Sequence, residues 1–211
     1  MTDARRQTFE AHLDTIRRLT IAAEYKDVDT AGHIERIGLY AEALSRALGF
    51  SKAEAERMRH AAPMHDVGKI AIPDSVLLKP AALDEAEWAV MRSHATLGAQ
   101  LLSRSPSPLL QLGETIARTH HERWDGSGYP QGLQGENIPV EGRICAVVDF
   151  YDAVTMKRPY RPAVPRKEVL QMMAQRSGEH FDPDILKTFV AIQDEVVHVY
   201  EQGRRQSGEH K

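Results

Sequence analysis

A single cysteine, Cys145, is all the thiol that this chain of 211 residues carries. It has no partner for an internal disulfide, and its apolar neighbours Ile144, Ala146 and Val147 point to a buried, reduced thiol in a reducing compartment. No apolar run approaches the roughly 18 residues that a membrane span requires, and no N-terminal stretch has the charged-then-apolar order of a secretory signal. The expected location is therefore the cytoplasm. A net charge of -3 excludes the electrostatic footprint of a duplex nucleic-acid binder, so a phosphate-bearing ligand has to be held locally, by metals and a few cations. Internal repeats and low-complexity tracts are missing as well. What remains is an ordinary globular composition, 42% hydrophobic and 27% charged, on a chain long enough for one buried core without staples.

Strand-like alternation is scarce, and helical period is found almost everywhere. Ile34, Ile37, Ala41, Leu44 and Leu48 form one apolar stripe at steps of three and four, and Val90, Met91, His94, Leu97 and Leu101 form a second. Ser51 with Glu54 and Asp84 with Glu87 read as capping boxes, while Asp182-Pro183 reads as a cap and first-turn proline ahead of another apolar stripe. Ala71 to Pro80, Ser103 to Pro108, Asp125 to Pro139 and Arg158 to Pro165 are punctuated by Pro or Gly and are predicted to be irregular. The fold class expected is all-α. Residues 1–25 are expected to form an N-terminal linker or dimerisation helix. Its seam of Phe9, Leu13, Ile16 and Thr20, leading to Ala23, either packs on the core or pairs with a second copy. Residues 26–202 are expected to form the main domain and 203–211 a flexible polar tail.

Two adjacent pairs of ligand-type residues stand far apart in this sequence, His65-Asp66 and His120-His121. His33, His94 and the Asp149 that follows an apolar run extend the set to five histidines and two carboxylates, more than one metal ion takes from protein. Any one of these histidines alone reads best as a core residue satisfied by a hydrogen bond. Burying all of them with Asp66 and Asp149 uncompensated would cost several kcal/mol per group, which a domain of ordinary stability cannot absorb. Cations among them remove that cost, so the sequence predicts at least two metals. Adjacent residues of a regular helix diverge by about 100°, so each pair needs a helix end or a distortion to converge.

The segment Met64-His65-Asp66-Val67-Gly68-Lys69-Ile70, followed by His120-His121-Glu122 through Gly126-Ser127-Gly128-Tyr129-Pro130, closely resembles the HD-GYP family of the HD superfamily of metal-dependent phosphohydrolases. The likeness runs from about Asp27 to Phe189 and includes Ile72-Pro73-Asp74, Lys79-Pro80, Asp149 through Asp152-Ala153, and Arg158-Pro159-Tyr160. The resemblance implies an HD-type helical bundle with a glycine-rich signature loop, and hydrolysis of cyclic di-GMP to pGpG, in some members onward to GMP. It assigns metal ligation to His33, His65, Asp66, His94, His120, His121 and Asp149, with Asp66 as the bridging carboxylate. Relatives with three metals carry a glutamate four residues before the first histidine; this chain has Asp29 there. Asp29 is therefore expected to direct a weaker third site, or else to cap a helix through the amides after Thr30. Lys69 matches the motif lysine that assists at the phosphate, Arg158 and Arg161 match positions that contact substrate phosphates, and Gly128-Tyr129-Pro130 matches the loop at the site mouth.

The chemistry follows from the donor types. Two neighbouring cations activate water at neutral pH and stabilise charge on a phosphodiester without a covalent intermediate. Mixed imidazole and carboxylate donors disfavour magnesium and calcium, and the lack of a thiolate ligand disfavours soft metals, so iron or manganese is expected. The glycine-rich loop lacks the Lys-Ser/Thr ending of a phosphate-binding P-loop. Trp124 beside it either stacks a guanine or packs the loop onto the bundle. Two alternatives stay open: an HD phosphohydrolase of another nucleotide or cyclic dinucleotide, and a non-catalytic cyclic di-GMP adaptor. In the family this domain is often preceded by a receiver or sensor domain, whereas about thirty residues precede the motif region here. Either regulation is expected from a separate partner, such as a diguanylate cyclase or a receiver domain, or a sensory module was lost or removed.

Overall fold

The computed structural model describes residues 3–24, 26, 31–156 and 163–206, and all its named elements are helical. In chain order they are α1 (Asp3–Glu24), α2 (Ala31–Ala47), α3 (Lys52–Ala61), a 3-10 segment (Ala62–Ala71), the single turn α4 (Asp74–Leu77), α5 (Glu85–Leu102), α6 (Pro108–Thr119), α7 (Val140–Thr155), α8 (Arg166–Ala174) and α9 (Pro183–Gln206). A short 3-10 turn, Gly135–Asn137, lies in the loop between α6 and α7. The all-α expectation is met. Asp29, Arg158 and Arg161, for which roles were expected, lie outside the described residues.

The local signals act where they were read. Ser51 accepts from the Glu54 amide at 3.3 Å while Glu54 accepts from the Ser51 amide at 2.8 Å. Asp84 and Glu87 make the same reciprocal pair at 2.9 Å each way. Asp182 Oδ1 accepts from the amides of Asp184 and Ile185, which opens α9 with Pro183 in its first turn. The segment expected to be irregular from Ala71 to Pro80 carries the turn α4.

The core is built on α2. Its Ile37, Tyr40, Ala41 and Leu44 meet Met58 of α3, Val147 and Tyr151 of α7 and Phe189 of α9. Tyr151 makes edge-on contacts with Tyr40, centroids 5.9 Å apart, and with Phe189, 5.0 Å apart, so one aromatic of α7 ties α2 to α9. Each such burial contributes about 1.5–3 kcal/mol. At the other end of the chain, Thr20 and Ala23 of α1 are buried and Ile16 packs against the core, so the C-terminal half of the α1 seam is occupied within the chain.

The second apolar stripe requires correction. Val90 and Leu101 are exposed, and α5 buries His94, Ala95, Gly98, Ala99 and Leu102 instead. The reason is a close crossing. A Cβ on Gly68 would fall on the His94 carbonyl oxygen and against Gly98, so α5 and the 3-10 segment touch through backbone. Small residues win this face because larger ones would hold the two elements apart. Apolar size, which defines a stripe in the sequence, is here the wrong measure.

Candidate metal centre

Five elements bring the seven expected ligands together. His33 comes from α2, His65 and Asp66 from the 3-10 segment, His94 from α5, His120 and His121 from the end of α6, and Asp149 from α7. The distortions that the adjacent pairs needed are present. His65-Asp66 sits in a 3-10 run of 10 residues opened by Pro63, much longer than the usual turn of 3–4 residues. His120 is the C-cap of α6, and His121 lies beyond the helix.

The side chains form two groups able to hold a metal ion. Asp66, His94, His120 and His121 make one; His33, His65 and Asp149 make the other; within each, the ligand atoms lie within 4.8 Å of one another. Asp66 links them. Its Oδ1 stands 3.2 Å from His94 Nε2 and 3.5 Å from His120 Nε2, while its Oδ2 stands 3.2 Å from His65 Nε2. Asp149 Oδ1 is 3.9 Å from His33 Nε2 and 3.8 Å from His65 Nε2.

Hydrogen bonds around the site fix the rings. His65 Nδ1 donates to the Ala62 carbonyl at 3.0 Å, His94 Nδ1 to the Met91 carbonyl at 2.7 Å and His120 Nδ1 to the Ala117 carbonyl at 3.0 Å. A carbonyl only accepts, so each Nδ1 carries a proton and Nε2 is the ring nitrogen left to face a metal. The consequence is direct at His94 and His120, whose Nε2 atoms face each other at 3.4 Å. Burial pushes the His120 pKa down and, with the neighbouring His120 charge, pushes that of His121 well down. Asp66 Oδ1, buried between His94 and His120, has no hydrogen-bond partner among the described residues. Lone pairs converging on a buried carboxylate oxygen are the environment a cation satisfies, so the donor set fits a divalent metal.

Charge supports the same arrangement. Burial alone would raise the Asp66 pKa, but the Lys69 ammonium, 2.6 Å from Oδ2, and the neighbouring His65 hold it well below the usual range. His33 differs from the other rings because its Nδ1 meets a carboxylate, Asp152 Oδ2, at 2.7 Å. Burial lowers the His33 pKa; the bond to Asp152 and the charges of Asp152 and Asp149 outweigh it and leave the value raised. Asp152 is in turn gripped by Arg36, whose Nε bonds Oδ1 and whose Nη2 bonds Oδ2 at 3.0 Å.

Asp152 and Arg36 received no role from the sequence, although a signal was there: His33 and Arg36, like Asp149 and Asp152, are three residues apart and so share a helix face. Glu122, within the signature segment, likewise carries no role in the sequence reading. It is buried, and its two carboxylate oxygens accept the amides of Gln131 and Leu133 at 2.7 and 3.0 Å, anchoring the signature loop. Gly128 passes so close to Glu122 and Arg123 that no Cβ fits, which brings Tyr129 onto His121, ring centroids 4.7 Å apart and 27° from parallel. Trp124 lies half-buried with the Arg143 guanidinium 5.7 Å from its ring centre.

Known proteins resemble this chain in sequence and in fold. Residues 17–185 match the family model of the HD domain. The chain is 41% identical over 197 residues to a cyclic di-GMP phosphodiesterase of Thermotoga maritima, covering 93% of this chain and 54% of that protein. It is 47% identical over 174 residues to the cyclic di-GMP phosphodiesterase response regulator RpfG of Xanthomonas campestris, covering 82% and 46%. It is also 40% identical over 188 residues to 3′3′-cGAMP-specific phosphodiesterase 2 of Vibrio cholerae, covering 89% and 36%. The chain thus spans about half or less of the length of these relatives. Among solved structures, a cyclic GMP-AMP specific phosphodiesterase of V. cholerae superposes with a TM-score of 0.62 at 20% identity, covering 93% of this chain and 50% of that one, a likeness of fold.

Proposed function

Because the chain belongs to the HD domain family, in its HD-GYP branch, we propose that it is a metal-dependent phosphodiesterase that linearises cyclic di-GMP to pGpG, with GMP as a further product. The observation that carries this reading is the pair of ligand groups joined through Asp66. His33, His65 and Asp149 would hold one ion and His94, His120 and His121 the other, with the Asp66 carboxylate within reach of both groups. Divalent cations held there would supply Lewis-acid charge for a phosphate and would make water more acidic. Iron or manganese suits the imidazole and carboxylate donors best.

The chain's own groups complete the site. Lys69, already ion-paired with Asp66, supplies a fixed positive charge at the phosphate as negative charge builds on it. Tyr129, with Gly128 and Pro130, closes the site mouth over His121, and Arg158 and Arg161 contact substrate phosphates. Asp29 directs a weaker third ion. No helix among the described residues is long and apolar enough to cross a membrane; the proposed setting is the cytoplasm, with a diguanylate cyclase or receiver domain as regulatory partner. Pairing of two copies through the exposed part of α1 is proposed with it.

A second substrate reading has support of its own, since relatives named for 3′3′-cGAMP match at similar identity. The test is anaerobic metal analysis coupled to turnover of cyclic di-GMP, 3′3′-cGAMP and cyclic di-AMP, with products separated by chromatography. Preferred conversion of cyclic di-GMP to pGpG is expected. Preference for cGAMP moves the assignment to that substrate, and metal-loaded protein that binds these nucleotides without turnover makes it an adaptor.

A further inference from the structure

Arg92 lies two residues before His94 on α5, and Trp88 lies one turn earlier; both are exposed. The Arg92 guanidinium carbon is 5.8 Å from the centre of the Trp88 ring and 5.5 Å from that of Tyr129. Tyr129 stacks on His121, so a row of flat groups leads from the surface at Trp88 to a candidate metal ligand. Two rings attract the guanidinium by its charge and restrict where it sits. Its N–H donors are left over: among the described residues Arg92 makes no ion pair and no side-chain hydrogen bond. A planar fork of donors held in this way matches two oxygens of a phosphate.

We propose that Arg92 is a substrate-binding residue that holds the second phosphodiester of the cyclic dinucleotide, the one not undergoing hydrolysis, while Trp88 and Tyr129 orient its guanidinium. The proposal rests on the cyclic dinucleotide reading above. The O6/N7 edge of a guanine offers similar acceptors. The positive charge of Arg92, unmatched by any carboxylate among the described residues, favours the phosphate.

The test compares wild type with Arg92→Gln and Arg92→Lys on cyclic di-GMP, 3′3′-cGAMP, cyclic di-AMP and bis(p-nitrophenyl) phosphate, which has one phosphodiester only. Arg92→Gln is expected to raise KM for the cyclic substrates by roughly 10- to 100-fold, the scale of one charge-assisted bidentate contact. That loss should exceed the loss on bis(p-nitrophenyl) phosphate at least tenfold. Arg92→Lys should fall between, and the dependence of KM on ionic strength should weaken in Arg92→Gln. Equal losses on the cyclic and single-phosphodiester substrates overturn the proposal. So does a loss confined to guanine-bearing substrates, which makes Arg92 a base reader. Wild type that turns over bis(p-nitrophenyl) phosphate and no cyclic dinucleotide sinks the substrate reading and this proposal together, whereas active wild type with an unaffected Arg92→Gln sinks this proposal alone.

Discussion

His33 and Asp152 are 119 residues apart in sequence and meet at 2.7 Å, Nδ1 to Oδ2, inside the protein. The carboxylate sets the tautomer of the ring and aims Nε2 at Asp149, 3.9 Å away. Asp152→Asn should therefore weaken the first ion at His33, His65 and Asp149 by about 10- to 100-fold and leave the second group less affected. Asp152→Ala should in addition destabilise the fold by about 3 kcal/mol, because it removes a buried carboxylate that Arg36 bonds through two nitrogens and His33 through one. Metal titration and urea unfolding of the two variants check this; unchanged affinity in Asp152→Asn removes the orienting role.

Gly68 and Gly98 yield a graded prediction. A methyl on Gly68 collides with the His94 carbonyl and with backbone of Gly98, whereas one on Gly98 meets the Gly68 nitrogen at 3.1 Å and Ala117 Cβ at 3.4 Å. Gly68→Ala should cost about 1–3 kcal/mol or more and release metal by displacing His94. Gly98→Ala should cost little, since about 1 kcal/mol of helix propensity offsets a small adjustment. Equal unfolding midpoints for the two variants would show that the crossing is looser than described.

Asp66 and Lys69 should separate metal binding from turnover. Asp66→Ala, which removes the carboxylate common to both groups, should lose metal and abolish hydrolysis. Lys69→Ala should keep its metal and slow turnover by about 10²-fold, the scale of one electrostatic stabiliser. Loss of metal in Lys69→Ala would reassign the lysine to holding Asp66 in place.

The third ion is tested by counting. Asp29 lies four residues before His33 in the sequence, and its side chain is one methylene shorter than the glutamate that the family resemblance implies there. Asp29→Ala should retain two tightly held ions and lose the third. A variant that binds three ions as tightly as wild type does leaves Asp29 as a helix cap.

Much of this protein is determined locally and is legible in the sequence. Caps at Ser51, Asp84 and Asp182 act on amides two or three residues away, and the α2 stripe buries the side chains its spacing selects. The seven candidate ligands could be named because imidazole and carboxylate are costly to bury, whatever the fold. The α5 face was decided by the tertiary structure, because a backbone crossing rewards small residues and periodicity counts large ones. The division of ligands into two groups, with Asp66 between them, was decided there too, since it depends on how five elements meet. Asp152, Arg36, Glu122 and Arg92 gain their roles from partners supplied by other segments, and no local pattern encodes which segment arrives.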